Sequence, residues 1–389
     1  MILKRNFLNL SCIKSIANFV NMHLDKIQLH NFKNYSLAEI ELCEGINAFV
    51  GKNGSGKTNI LDAVHYLSMC KSYLNSIDRQ NVKFHESFFS IFGNWNQDNK
   101  QYSEQCSFKI GGKKSIKLNK KEYERISDHV GKFPVVFISP YDNDLISEGS
   151  ETRRKWMDGI LVQLDRQYLE DLLKYYKALE QRNALLKNMH EHRLFDRESI
   201  EIWNIPLAET GQRIFEKRTN FLQGFIPVFN EFYQKLVSEK ESTEITYRSQ
   251  LQDQNLFDGL IASEKKDAYS QFTNVGIHKD DLIFTIREHP VKKFGSQGQQ
   301  KSFLIALRLA QFDWVKKQKG FPPILLLDDI FDKLDHSRVE KLIDLVTTDY
   351  FGQVFITDTD EERMRFLLNS ISANKKLFKV EHSEVLNLV

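Results

Sequence analysis

The chain has 389 residues, 41% hydrophobic and 27% charged, with a formal net charge of +2. That length exceeds one ordinary core and implies two lobes, and the near-neutral balance excludes nucleic-acid binding by overall basicity, so any such contact needs a local patch. No stretch approaches the roughly 20 apolar residues of a membrane span, and Cys12, Cys43, Cys70 and Cys106 contain no C-x-x-C pair, which argues against zinc or a disulfide framework and for reduced thiols in a cytosol.

The first 21 residues carry Lys4, Arg5 and Lys14 and no acid. Two readings fit them: a targeting peptide, or a disordered leader ahead of a start at Met22. Lys14 interrupts the apolar stretch and no small-residue cleavage site stands out, which favours the leader. From His23 the pattern alternates. Leu24–Leu29 and Leu37–Leu42 read as strands separated by Asn31–Tyr35. Ile46–Val50 is a short apolar strand. It runs into Gly51, Lys52, Asn53, Gly54, Ser55, Gly56, Lys57 and Thr58, which fit G-x-x-x-x-G-K-[ST] without a mismatch. Ile60, Leu61, Val64 and Leu67 then recur at helical spacing.

Strand, glycine-rich turn and helix is the order a phosphate-binding loop needs. The glycines let backbone N–H groups turn inward around an anion, and the helix N-terminus adds partial positive charge. On this reading Lys57 reaches the β and γ phosphates of ATP, and the Thr58 hydroxyl takes one ligand position on Mg²⁺.

Further strands are expected around Phe88–Trp95, at Ser107–Ile110 and Ser115–Leu118 flanking Gly111-Gly112, and at the wholly apolar Phe133–Ile138. Past Ser147 the texture becomes helical. Trp156, Ile160, Leu164, Tyr168, Leu172, Tyr175, Leu179 and Leu186 form one apolar stripe, and a second helical stretch covers Ile200 to Leu236. The charged segment Asn188–Arg197 reads as the turn between two antiparallel helices. Asp253–Asp267 reads as a loop, and strand texture returns at Thr243–Tyr247 and Leu282–Ile286.

Gly295-Ser-Gln-Gly-Gln-Gln-Lys301 opens a clear helix carrying Phe303, Leu304, Leu307 and Phe312. A small, polar, glycine-containing turn at a helix start is a second anion site by the same dipole argument. One nucleotide needs one phosphate loop, so a second such turn suggests that a partner subunit offers it in trans. Ile324-Leu-Leu-Leu-Asp-Asp329 is an apolar strand ending in two carboxylates. Asp328 is assigned to Mg²⁺ through water, and Asp329 to the attacking water. Lys57 and Asp329 are therefore the catalytic candidates, and Thr58 and Asp328 the metal candidates.

The order of phosphate loop, large insertion, S-Q-G-Q-Q turn, apolar-Asp-Asp and Leu334-Asp335 resembles the ABC-type ATPase heads of the SMC class and, within it, the bacterial RecF family. Leu29–Tyr35, Phe137–Leu145, Gly149–Asp158, Gly276–Leu282 and Gly352–Asp360 carry the resemblance, which runs from Met22 to about Asp360. It implies an α/β fold: an ABC-type P-loop head with a mixed sheet, over residues 22–146 and 272–389, with an inserted helical arm over 147–271. It also implies a cytoplasmic ATPase that dimerises on ATP and binds single-stranded and duplex DNA at gaps. Such a protein works with RecO and RecR to load RecA in recombinational repair, and is tied to replication and the SOS response. Ser296 and Gly298 of one subunit would close on the γ-phosphate held by the other, with Asp335 at the seam. An Asp at 329, one methylene shorter than the usual Glu, implies slow turnover.

Three departures stand out. No Gln occupies the γ-phosphate-sensing turn near Ser139–Asp142, the switch His is replaced by Thr357 or a neighbour, and Lys279 stands where the family carries Arg. His278 reads either as a site residue or as a packed, hydrogen-bonded one. Basic candidates for DNA are Lys113, Lys114, Lys117, Lys120 and Lys121, then Arg153-Arg154-Lys155, then Lys292-Lys293, each equally readable as a solvated face. No base-reading motif is present, so binding directed at the backbone or at DNA structure is expected. A transporter's nucleotide-binding subunit is the main rival, but about 240 residues separate the two anion-binding turns, far more than such a domain carries. A nuclease-linked ATPase and a kinase-like phosphotransferase explain less.

Overall fold

The computed structural model describes residues 22–75, 77–193, 196–237, 241–330, 341, 350–369, 371 and 374–388. The expected leader, residues 1–21, and Asp335 lie outside them.

Alternating sequence at the N-terminus gives β1 (Met22–Phe32) and β2 (Tyr35–Glu41), and the apolar run gives β3 (Ile46–Val50). Helix α1 (Lys57–Met69) follows the glycine-rich turn. Then come β4 (Phe88–Gln97), β5 (Lys100–Lys109), β6 (Ser115–Leu118), β7 (Lys121–Glu122) and β8 (Val135–Ile138). An antiparallel sheet forms in the order β2-β1-β4-β5-β6-β7. Two of its two-residue turns, Asp98-Asn99 with φ of 52° and 60° and Asn119-Lys120 with φ of 50° and 68°, are left-handed at both positions, the type I′ geometry that matches strand twist. The β5–β6 hairpin pairs Ser107 with Ser115, as the Gly111-Gly112 signal implies.

The helical texture resolves into several elements. They are α2 (Asp144–Ser147), α3 (Ser150–Leu164), α4 (Arg166–His192), α5 (Arg197–Leu236), α6 (Leu256–Ala262) and α7 (Glu264–Ser270). Asp165 breaks the first stripe and caps α4 by accepting from the Tyr168 amide at 3.1 Å. Helix α4 continues to His192, so the link to α5 is shorter than the charge run Asn188–Arg197 suggests. The expected loop at Asp253–Asp267 is instead mostly helical. Asn255 caps α6, and Leu256 and Leu260 are buried, with Leu256 against Gly211 of α5. Helix α6 buries one apolar turn and α7 buries only Asp267, so the pair looks polar in sequence.

Strand β9 (Thr243–Arg248) lies between α5 and α6. It pairs with β10 (Asp281–Ile286), which pairs with β11 (His289–Pro290). After α8 (Val291–Phe294) and α9 (Gln297–Lys319) come β12 (Ile324–Leu327) and β13 (Val354–Asp358). Helix α10 (Glu361–Asn369), β14 (Lys375–Glu381) and β15 (Glu384–Asn387) complete the described chain.

The second large sheet has the order β15-β14-β3-β13-β12-β8, parallel except for β15. Strands β3, β8, β12 and β13 are buried at every position, as parallel strands covered on both faces must be. Helix α1 is wedged between the two sheets, packing on β1, β4 and β5 on one side and β8 and β13 on the other. Helices α4 and α5 pack together, and α5 packs along α9. The chain thus has the mixed-sheet head with added helices that its motifs imply.

Candidate nucleotide site

The phosphate loop sits where β3 hands over to α1. Gly51, Gly54 and Gly56 have φ of 159°, 78° and 115°. A side chain at Gly56 would lie 2.5 Å from Asn34 Nδ2 and 2.7 Å from the Tyr35 hydroxyl, so only glycine fits. Neighbouring segments brace the loop. Asn34 Nδ2 donates to the Ser55 carbonyl at 3.2 Å and to Ser383 Oγ at 2.8 Å. Asn59 Nδ2 donates to Asn34 Oδ1 at 2.6 Å, and the Tyr35 hydroxyl donates to the Gly56 carbonyl at 3.1 Å. Asn34 and Tyr35 belong to the stretch that carries the family resemblance, but no sequence argument assigned them this role. Ser383 had no sequence signal at all.

Lys57 is 4% exposed and bends back over the loop. Its Nζ donates to the Gly51 carbonyl at 2.8 Å and the Lys52 carbonyl at 3.2 Å. The ammonium is therefore tethered at the mouth of the cradle, where a bound phosphate would be met by a preplaced positive charge.

The sheet order brings the other motif alongside. Strand β13 lies between β3 and β12, so Thr357 stands between the phosphate loop and the carboxylates. Thr58 Oγ1 and Thr357 Oγ1 each donate to Asp328 Oδ1 at 2.8 Å. Burial pushes the Asp328 carboxyl above its ordinary value, and the Asp329 charge adds to this. The two hydroxyl bonds and the Lys57 charge oppose it. A buried carboxylate oxygen beside a hydroxyl is a hard-oxygen donor pair that suits Mg²⁺, with water and phosphate completing the shell. Asp329 follows in a left-handed conformation, φ 44°, and its amide donates to Thr357 Oγ1 at 3.0 Å. Thr357 thus holds the Asp328 carboxylate and the Asp329 backbone.

Ser296 caps α9 in a reciprocal box. Its Oγ accepts from the Gln299 amide at 3.2 Å, and its amide donates to Gln299 Oε1 at 2.9 Å. Gln300 Nε2 donates to the Gly295 carbonyl at 3.0 Å. Ser296 is exposed, and among the described residues no hydrogen bond joins Ser296–Gln300 to the phosphate loop, Asp328 or Asp329. The structure therefore gathers Gly51–Thr58 with Asp328, and among the described residues no hydrogen bond brings Ser296 or Gly298 to them.

The turn after β8 carries Asp142, which binds Arg308 of α9 at 2.5 and 3.1 Å and accepts from the Tyr73 hydroxyl at 2.5 Å. This links the turn after β8 to the helix that Ser296 opens.

The other family-specific stretches form a buried junction. Arg153 holds Asp281 through two bonds of 2.7 and 3.1 Å, and Arg154 donates to the Asp280 carbonyl at 2.6 Å. Arg218 of α5, fully buried, bonds Asp158 and reaches Asp280 at 2.9 Å. Arg153 and Arg154, read from sequence as candidate DNA contacts, are thus committed to internal partners. His278 proves packed: Nε2 lies 3.0 Å from the Thr273 carbonyl, which can only accept, so Nδ1 accepts from the Tyr175 hydroxyl at 2.7 Å. Burial pulls its pKa down to about 4, so the ring is neutral. Lys114 bonds Asp78 and the Cys70 carbonyl at 2.8 and 2.6 Å. Lys113, Lys120, Lys121, Lys292 and Lys293 remain exposed.

Comparison with known proteins agrees with this geometry. Residues 23–384 match the RecF/RecN/SMC N terminal domain family. The DNA replication and repair protein RecF of Flavobacterium johnsoniae is 50% identical over 359 residues, which cover 92% of this chain and 100% of that protein. A solved structure of the recombination mediator protein RecF with ATP, in the RecFOR pathway, has a TM-score of 0.86 at 30% identity, covering 95% of this chain and 99% of that one. The Smc head domain from Pyrococcus furiosus, bound to the C-terminal domain of ScpA, shares the fold with a TM-score of 0.56 at 17% identity, over 94% of this chain and 96% of that one. Phosphate loop, paired acids and signature turn thus stand on a shared head fold, and the chain belongs to the RecF family of SMC-type ATPase heads.

Proposed function

We propose that this chain is an ATP-dependent DNA-binding switch of replication and recombinational repair in the cytoplasm. ATP·Mg²⁺ binds at Gly51–Thr58 and Asp328. Ser296 and Gly298 of a second copy then close on the γ-phosphate, so ATP joins two chains. Asp329 orients the attacking water, hydrolysis is slow, and the dimer then releases DNA. By analogy with the RecFOR pathway of its relatives, RecO and RecR are the partners and RecA loading at gaps is the outcome. The observation that carries this reading is the Thr58–Asp328–Thr357 arrangement beside the glycine cradle. It is joined by a capped signature turn that, among the described residues, makes no hydrogen bond to its own chain's loop.

The boundaries of head (22–146 and 272–389) and arm (147–271) are proposed on the same grounds, with the Arg218 junction as the hinge region between them. Asp335 is assigned to the dimer seam.

The test is specific ATPase activity against protein concentration, with and without gapped DNA. A cooperative rise that DNA strengthens is expected. Flat specific activity, indifferent to DNA, would overturn the proposal.

A further inference from the structure

The signature turn is held by a residue outside every motif. Glu241 follows α5 and is 7% exposed. Its Oε1 accepts from Gln299 Nε2 at 2.7 Å, and its Oε2 accepts from the hydroxyl of Tyr233, a buried residue of α5, at 2.7 Å. Arg287, in the β10–β11 turn, pairs with Oε1 at 3.2 Å. The Gln299 amide is thus used at both ends: its oxygen takes the Ser296 N–H and its NH₂ group meets Glu241. That fixes which way the amide points. The Ser296 hydroxyl accepts through a lone pair, which leaves its proton available to donate to an incoming phosphate.

We propose that Glu241 is a positioning residue for the trans half of the nucleotide site. It aims Ser296 by orienting Gln299, and it ties that aim to the 40-residue helix α5 through Tyr233. A carboxylate is suited to this place because one group must accept from Gln299, Tyr233 and Arg287 together, and bonds to a charged acceptor are the stronger kind. Without it, Gln299 loses its outer anchor and the Ser296 box can reorganise, although the phosphate loop of the same chain is untouched. A tilt of α5 would reach the signature turn through two hydrogen bonds. This inference rests on the composite site proposed above.

The experiment is sedimentation of the full chain with and without ATP and Mg²⁺, for Glu241→Ala, Gln299→Ala, the double variant and Ser296→Arg. Glu241→Ala should weaken ATP-dependent dimerisation by roughly tenfold or more, the effect of losing one charge-assisted bond, while ATP affinity of the monomer is unchanged. If Glu241 acts through Gln299, the double variant dimerises no worse than Gln299→Ala. Dimerisation of Glu241→Ala equal to wild type, or a loss that adds in full to that of Gln299→Ala, would overturn the proposal. If Ser296→Arg also dimerises normally, the composite site itself fails. If Ser296→Arg is blocked while Glu241→Ala is unaffected, only the role of Glu241 falls. Should the alanine variant not fold, Glu241→Gln, which keeps an acceptor for Gln299, carries the test beside Gln299→Ala. Dimerisation kept in the first and weakened in the second supports the proposal, and any other pairing overturns it.

Discussion

Thr58 and Thr357 donate to the same oxygen, Oδ1 of Asp328, at the same distance of 2.8 Å. One hydroxyl belongs to the phosphate loop and the other to the neighbouring strand. Were Mg²⁺ bound, Thr58 would be free to serve as its ligand, and Thr357 would be the donor holding Asp328. Replacing Thr357→Val preserves shape and removes that donor, and also takes the acceptor from the Asp329 amide. Loss of a hydrogen bond to a charged group costs about 1.5–3 kcal/mol. We expect ATP affinity measured with Mg²⁺ to fall accordingly, and affinity in chelator to change little. Equal losses under both conditions would show that Thr357 acts on the fold rather than on Asp328.

Arg218 joins α3, α5 and the segment before β10 through Asp158 and Asp280, with no exposure to solvent. Arg218→Met strands two buried carboxylates. Breaking a buried pair by removing one partner costs about 3–5 kcal/mol. Urea unfolding should show that loss, and ATP affinity of the remaining folded protein should match wild type. A stability within about 1 kcal/mol of wild type would be far below the range for such a pair.

Two histidines make stability depend on acid. Burial lowers the pKa of both His65 and His278 from 6.5 to about 4. Between those values the unfolded chain takes up protons that the folded chain refuses, so these groups reduce stability as pH falls from about 6.5 to about 4 and add no further loss below. His278→Gln should make the decline shallower over that window in urea titrations at successive pH values. An unchanged slope would mean that His278 accepts its proton while folded.

Lys113, Lys120 and Lys121 are exposed around the β5–β6 hairpin and β7. If they meet DNA, changing all three to Gln should lower affinity for gapped duplex and flatten its salt dependence. The log–log slope should shrink by roughly 0.9 for each phosphate no longer neutralised. Lys292→Gln and Lys293→Gln form the comparison. Unchanged slope in the first set moves the DNA surface elsewhere on the chain.

The phosphate loop, its strand and its helix were legible because every part is adjacent in sequence. The paired acids were legible because β12 is apolar up to Asp328. Thr357 was visible only as a substitution for an expected His; its bond to Asp328 depends on β13 lying between β3 and β12, which no local pattern reveals. Glu241 and Ser383 were invisible because their partners, Gln299 and Asn34, are 58 and 349 residues away. Arg153 and Arg154 misled for the same reason: a basic pair looks like a surface patch until Asp280 and Asp281 are folded against it. The segment Asp253–Asp267 failed as a loop because α6 buries only Leu256 and Leu260 as apolar anchors against α5, and α7 buries only Asp267, which pairs with Arg182 of α4.

In the proposed dimer one chain's phosphate loop works with another chain's signature turn. Mixing two inactive variants, Lys57→Ala and Ser296→Arg, tests it most directly, by ATPase rate of the mixture against each variant alone. A mixed dimer has one intact pair, the loop of the Ser296→Arg chain facing the signature of the Lys57→Ala chain. We expect recovery of up to roughly half of the wild-type rate, since neither variant pairs with itself through ATP and each mixed dimer of the two-fold assembly keeps one working site. A mixture no more active than its separate components would contradict it.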